Sequence, residues 1–510
     1  MEVSDMKDQN TNPFWGEGES ADFGKIAIEY AAGEDVVLDA AFVQYECLVN
    51  MAHLVMLSKQ KILNMKIVVK LLNGLREIIK LDQKGQFILK RELEDVHSNV
   101  EQYLIEKYGI QTGGYLRLGI ARNDQVYTDT RIYMREKIIL ICKQLTDLIR
   151  GINQEAAKHF ETVMPGYTHL RVSQPVTWAH FLTGKAYHFL DDLSNIIKHF
   201  DTVNQCPLGI FEMAGTHLPI DRNLTSRLLG FDKPTAHSLY TANQRGEIEA
   251  KLMAELSILA MHIKRTMNEV IIFSTHEFGL LTIDDLYTTG GTAQPNLKNP
   301  DTLEVVRANM AKLPSAFMEI YLIMECLPSG FNRDTQATKP VLFKSLETII
   351  KSLPVVGGII ATLKVNKQQM EKAANINFSI APSVAVQISV KAGISFRQAH
   401  KIVKTMIKDG FLKESFAEMT PEIIAEAAKK AIGREIKVSE EEIADFKEAE
   451  KCVRLQKSLG GPAPEEVRKM IKDIKLKLST LKKDIALKEK KLDQAKKLLD
   501  KEANKIIMLN

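Results

Sequence analysis

Cysteine is scarce and scattered. Its five residues, Cys47, Cys142, Cys206, Cys326 and Cys452, form no CxxC pair and no cluster with histidine. That excludes a disulfide scaffold and a zinc module, and it points to a reducing compartment. Glycine (28) and proline (16) are a little short for 510 residues, which favours long uninterrupted helices over many short strands. No run of about 18 apolar residues escapes a charge, so no membrane span is expected. The N-terminus, MEVSDMKDQNTN, is polar and acidic and lacks the apolar stretch of a signal peptide, so the expectation is a cytoplasmic protein. Phosphate-binding glycine loops, metal-ligand motifs and nucleophile elbows are also missing, so no metal is expected. A net charge of +4 is too small to imply a nucleic-acid partner.

What is there is ordinary in amount and uneven in place. With 45% apolar and 26% charged residues, the chain reads as globular, long enough for about three domains. From Arg468 to Asn510, 14 Lys or Arg face 6 Asp or Glu, a net of +8, which leaves −4 for the preceding 467 residues. No proline interrupts the chain between Pro13 and Pro165, or between Pro234 and Pro295. Inside the second span Ile248, Leu252, Leu256, Leu259, Ile263, Met267 and Val270 recur at three- and four-residue spacing, predicting a long helix. Similar patterns run through 124–158 and 178–204. Strand alternation is weak; Val355–Ile360 is the best β-like stretch and lies within helical flanks, so the fold class is all-α. In the basic tail a seam starting at Ile471 fits ten of twelve coiled-coil positions, broken only by Lys488 and Glu502. Its remaining residues are mostly lysine, giving either a solvated helix packed on itself or the body, or a face for an acidic protein or RNA.

Three polar, glycine-containing segments interrupt the helices and are the natural places for chemistry: 113–123, 164–174 and 287–301. The first ends in Arg122-Asn123-Asp124, which can either cradle a carboxylate at a helix start or simply cap that helix beside a salt bridge. In the second, Pro165-Gly166-Tyr167-Thr168-His169, a histidine sits beside a hydroxyl and is either an acid/base or a structural residue. The third, from Thr289-Gly290-Gly291-Thr292 to Lys298-Asn299-Pro300-Asp301, is a loop able to close over an anion, or an ordinary surface connection. His97 has acidic neighbours and could bind an anion or cap a helix. Arg245 is a candidate carboxylate clamp, and Gln336 and Lys339 share a helix face.

In this order the segments resemble the argininosuccinate lyase family of the fumarase/aspartase superfamily. The anchors are ARNDQV (121–126), PGYTHL (165–170) with Gln174-Pro175, and Pro207-Leu208-Gly209. Further along stand Ala214-Gly215, Pro219–Arg222, KNPD (298–301), FRQAH (396–400) and GGPAP (460–464). The likeness runs from Phe14-Trp15-Gly16 to about Arg468, over 85% of the chain. It implies a three-domain helical subunit divided at 1–115, 116–370 and 371–467, and a homotetramer with a twenty-helix core and shared active sites; the Lys-rich helical extension over 468–510, read from its own seam, is not explained by the family pattern. It also implies a small-molecule substrate, no cofactor, no membrane, and reversible elimination of argininosuccinate to arginine and fumarate. By the same resemblance His169 is the acid/base histidine, Asn123 and Thr168 hold substrate carboxylate, His97, Arg122, Arg245 and Asn299 fall at binding positions, and Gln336 and Lys339 hold the substrate.

The loop departs from the family, where Gly291 stands at the usual serine base and Leu297 at the usual lysine. Thr292 and Lys298 are adjacent, and a one-residue slip would bring them into those roles, so they join His169 as catalytic candidates. Phe331 replaces a substrate-binding tyrosine, and Ile120 and Ala121 replace an Arg-Ser pair. An argininosuccinate lyase, a lyase for another succinyl-amine, and a catalytically impaired homologue with a binding or structural role all remain open at this point.

Overall fold

A computed structural model describes residues 29–31 and 33–508; Phe14-Trp15-Gly16 and the last seam position, Leu509, lie outside the described residues. The N-terminal part holds α1 (Asp35–Asp39), α2 (Val43–Lys59), α3 (Met65–Gln83) and α4 (Val96–Tyr108). The bundle consists of α5 (Arg122–Ala156), α6 (Trp178–Val203), α7 (Glu247–Phe273), α8 (Asp301–Met310), α9 (Lys312–Met324) and α10 (Thr338–Thr362). After it come α11 (Lys367–Asn375), α12 (Ala381–Lys391), α13 (Phe396–Lys408), α14 (Pro421–Ile432), α15 (Ala449–Leu455) and the long α16 (Pro464–Met508), with shorter helical turns between.

Long helices form where apolar periodicity coincides with a start signal. In α6, Thr177 supplies the cap, its side chain accepting the His180 N–H. In α7, Glu249 reaches back to accept the Gly246 N–H at 2.8 Å, with Gly246 at φ 83°. The predicted stripe of α7, from Ile248 to Val270, is buried throughout. The β-like stretch Val355–Ile360 is helical, lying inside α10 just after Pro354. One core unites α2–α10 and α16, and a second joins residues of α11–α15. Two stretches, Asp35–Lys59 and Arg333–Thr362, reach a mean hydropathy of 1.3. Both supply side chains to the larger core, among them Leu54, Leu57, Leu342 and Leu346.

Segment 164–174, read as a loop, is instead the body of a hairpin: β1 (Val163–Thr168) pairs antiparallel with β2 (Arg171–Thr177). Its register shifts between Pro165 and Gly166, where a Cβ on Gly166 would stand 2.3 Å from the Gln174 carbonyl oxygen. Only glycine fits that approach. A much smaller hairpin, β3 (Thr289–Gly290) with β4 (Lys298–Asn299), closes the third segment.

The tail helix α16 lies along α5 and α6 and reaches α2 and α3. Its seam residues Ile474, Leu478, Ile485, Leu492, Leu499 and Ile506 are buried in the larger core, and Ala495 is buried beside them. The two seam breaks are matched by the body. Lys488 contacts Asp201 with its ammonium 5.1 Å from the Phe200 ring centre, and Glu502 pairs with Lys59. Lys143–Glu489 at 2.5 Å and Lys496–Glu136 at 2.8 Å add outer ion pairs.

Candidate functional site

Side chains expected to touch substrate fall into three groups within one chain. The first surrounds the N-terminal turn of α5. Ala121 is extended, and the Asp124 carboxylate accepts the Ala121 N–H at 2.9 Å while its other oxygen accepts from Gly209 (2.8 Å) and Phe211 (3.0 Å). The capping role therefore belongs to Asp124, and it ties the helix start to the Pro207-Leu208-Gly209 turn. Asn123 is half-buried and its amide makes no hydrogen bond to the described residues, so it can serve a ligand. Arg122 pairs with Glu94 and with Asp95, each at 3.2 Å. Asp95 caps α4 by accepting the Ser98 N–H, so Arg122 links the starts of the two helices. His97 follows two residues later. It is buried, with Nδ1 2.8 Å from Glu46 Oε2 and with Nε2 unpartnered among the described residues.

The same group continues to α10. Lys339 is buried, and its ammonium bridges Asp35 (2.8 Å) and Asp39 (2.7 Å) on α1. Burial opposes its charge, but the two carboxylates outweigh that and hold its pKa above the ordinary lysine value. Gln336 donates to the Ala31 carbonyl at 2.7 Å. Arg245 lies beside Asp35 and Asp39, its guanidinium 5.1 Å from the Phe331 ring centre and its Nη1 buried without a hydrogen-bond partner among the described residues. A buried cationic donor of this kind is suited to an anionic ligand.

The second group is the tip of the β1–β2 hairpin. Thr168 and His169 are exposed there, and His169 and Leu170 both adopt left-handed backbone, at φ 53° and 57°. The turn throws the imidazole outward rather than into its own core. The third group is the small hairpin loop. Thr292 is exposed, Asn299 pairs through the strand with Thr289, and Lys298 donates to Asp285 at 2.5 Å. A Cβ on Gly291 would lie 2.7 Å from the Gln294 carbonyl oxygen, so the loop as folded has no room for a side chain there. Among the described residues, no hydrogen bond or ion pair links the three groups within one chain.

Reasoning from sequence missed Asp35, Asp39, Glu46 and Asp129, the acids beneath the first group. Asp35 and Asp39 carry the one usable signal, an i,i+4 acid pair before an apolar helix. Glu46, His97 and Asp129 also bring one potential ligand atom each to within 4.8 Å of the others, although no sequence motif announces a metal.

Residues 35–314 match a family model described as lyase. The argininosuccinate lyase of Methanocaldococcus jannaschii is 35% identical over 461 residues, covering 90% of this chain and 94% of that protein. The argininosuccinate lyase of Acetivibrio thermocellus is 34% identical, covering 85% of this chain and 93% of its own length. Among solved structures, EDDS lyase in complex with formate superposes with a TM-score of 0.82 at 24% identity over 95% of this chain and 96% of that one. Class II fumarase from Schistosoma mansoni superposes at 0.68 with 12% identity, over 83% and 94%. Those likenesses carry the fold, and the sequence relatives carry the descent: the chain belongs to the argininosuccinate lyase family.

Proposed function

We propose that the chain catalyses the reversible elimination of argininosuccinate to arginine and fumarate, the step that releases arginine in its biosynthesis. The observation that carries this is the 35% identity to an argininosuccinate lyase across 90% of the chain. A base removes a proton next to a carboxylate, the resulting carbanion is held as an aci-carboxylate, and an acid protonates the departing guanidino nitrogen. The α5 start, through Asn123 with Arg122 and His97, holds a substrate carboxylate together with Thr168. His169 exchanges protons, and Gln336, Lys339 and Arg245 hold the rest of the substrate with Asn299. Because the three groups stand apart in one chain, a complete site is formed by neighbouring copies in a homotetramer. Support for that assembly comes from exposed apolar side chains on α7–α9: Ile258, Met261, Val305, Met318, Tyr321 and Leu322. They lie on helices the tail leaves uncovered.

Thr292 and Lys298 take the base and cation roles only if the loop moves, since Lys298 is held by Asp285 and Gly291 offers no group. Fumarate release from argininosuccinate, followed by ultraviolet absorbance, tests the reading: turnover that disappears in Thr292→Ala supports it. The second reading, a homologue that binds without turnover, is favoured by the Gly291 and Leu297 replacements. Tight binding of argininosuccinate with no fumarate release would establish it.

A further inference from the structure

Glu46 on α2 and Asp129 on α5 are fully buried, and no step above uses either directly. One oxygen of each lies, with a nitrogen of His97, in a group whose members are all within 4.8 Å. Glu46 is rich in donors. Its Oε1 accepts from Asn50 at 2.6 Å and Gln125 at 2.9 Å, and its Oε2 meets His97 Nδ1 at 2.8 Å. Among the described residues Asp129 has no donor at either oxygen. Two carboxylates this close and out of water cannot both be ionised, and the negative charge settles on the one that collects hydrogen bonds.

We propose that Asp129 is a neutral carboxylic acid whose O–H donates to Glu46. The pair, with one negative charge between them, keeps His97 protonated and so positions the α4 and α5 starts that receive the substrate carboxylate. The positioning half rests on the lyase reading above; the shared proton does not.

The surrounding charges agree. From α1 come Asp35 and Asp39, with Lys339 of α10 already bridging them. Next to α4 stand Asp95 and Glu94, both engaged by Arg122, and Arg117 pairs with Glu101 at 3.2 Å. A second ionised carboxylate at 129 would face Glu46 and Asp39 together. Burial first, then Glu46, pushes the Asp129 carboxyl well above the usual carboxylate range. Burial opposes charge on His97 and on Glu46, but each outweighs that for the other, raising the imidazole and lowering the carboxyl. A divalent cation in place of the proton would find three protein donors, where structural cations take about four to eight, and His97 Nδ1 is already occupied. The proton is the better fit.

The test uses the full-length protein at pH 7. The infrared difference between wild type and Asp129→Asn should contain the carbonyl band of a protonated carboxylic acid, present only in wild type. Asn at 129 keeps a donor toward Glu46, so its urea midpoint should match wild type, whereas Asp129→Ala should lower it. Glu46→Gln removes the charge on which His97 depends. It should raise KM for argininosuccinate at least tenfold with a smaller change in kcat, and move the pH limb of kcat/KM that Asp129→Asn leaves in place. If wild type binds without turning over, Kd from calorimetry replaces KM. Absence of the acid band, its persistence in Asp129→Asn, or equal destabilisation by Asn and Ala overturns the shared proton. So does a stoichiometric metal in the purified protein. Failure of turnover and binding alike would sink the lyase reading and with it the positioning role, while the infrared result stands by itself.

Discussion

If the tail is part of the core rather than an appendage, its two faces must respond oppositely to the same truncation. Leu499 is 1% exposed in the α16 seam, and Leu487 on the outer face is 54% exposed. Leu499→Ala removes a buried side chain from packing shared with the body and should cost about 3 kcal/mol, within the usual range for buried leucine. Leu487→Ala should stay within about 0.5 kcal/mol. A chain with two cores is not expected to unfold in one step, so a local readout assigns the difference to the tail. Hydrogen exchange of α16 peptides, read by mass spectrometry, reports local opening directly. At 1.4 kcal/mol per decade, Leu499→Ala should speed exchange of those peptides about 10²-fold, and Leu487→Ala should leave it near wild type. Equal effects of the two variants would refute the packing argument. Protection that falls on dilution would refute it too, because the seam would then be covered by another copy.

Three further outcomes follow from single contacts. His53 is buried on α2 with Nε2 2.8 Å from the Leu118 carbonyl, and burial pushes its pKa down to about 4 despite that bond. Unfolding frees it to protonate, so stability should be full above about pH 6.5 and fall by up to about 3 kcal/mol as pH drops to about 4. Urea midpoints across that window should be flatter in His53→Gln. Gly166→Ala puts a Cβ 2.3 Å from the Gln174 carbonyl oxygen, so it should distort the hairpin, cost about 1–3 kcal/mol, and cut any turnover through His169 more than tenfold. Phe331→Tyr should leave stability within about 0.5 kcal/mol and tighten substrate binding measured by calorimetry. Phe331→Ala, which removes the ring under Arg245, should weaken it.

Long-range order was legible where it repeats and invisible where it pairs. The α7 stripe and the α16 seam are periodic in sequence, so helix and buried face could be read together. What covers the seam could not be read, because Asp201 and Lys59, which satisfy Lys488 and Glu502, lie hundreds of residues away. The β1–β2 hairpin was hidden by its own chemistry. Pro165, Gly166 and Pro175 read as loop residues, and the register shift at Pro165/Gly166 breaks the alternation that marks a strand. Arg122, Asn123 and His97 stood out because they flank helix starts. Asp129 did not, since a polar residue inside a long helix normally marks its solvent face, and only the fold turns it toward Glu46.

The site's two kinds of support differ in what a change to each would cost the fold. At the α5 start, the ligand groups are held by buried polar groups on α1, α2, α5 and α10, so altering Glu46, Asp129, Asp39, Lys339 or Asp124 unbalances partners that water cannot reach. The third segment is held by its own surface contacts: the β3–β4 pairing, Thr289 with Asp301, and Lys298 with Asp285. A change at Gly291 or Leu297 leaves the core untouched and costs the fold little. At Gly291, however, the 2.7 Å approach to Gln294 means that a serine cannot simply be introduced; the loop must shift first. Placing a side chain at 291 therefore requires remodelling residues 291–297 as a unit, whereas carboxylate binding at α5 should survive any change confined to that loop.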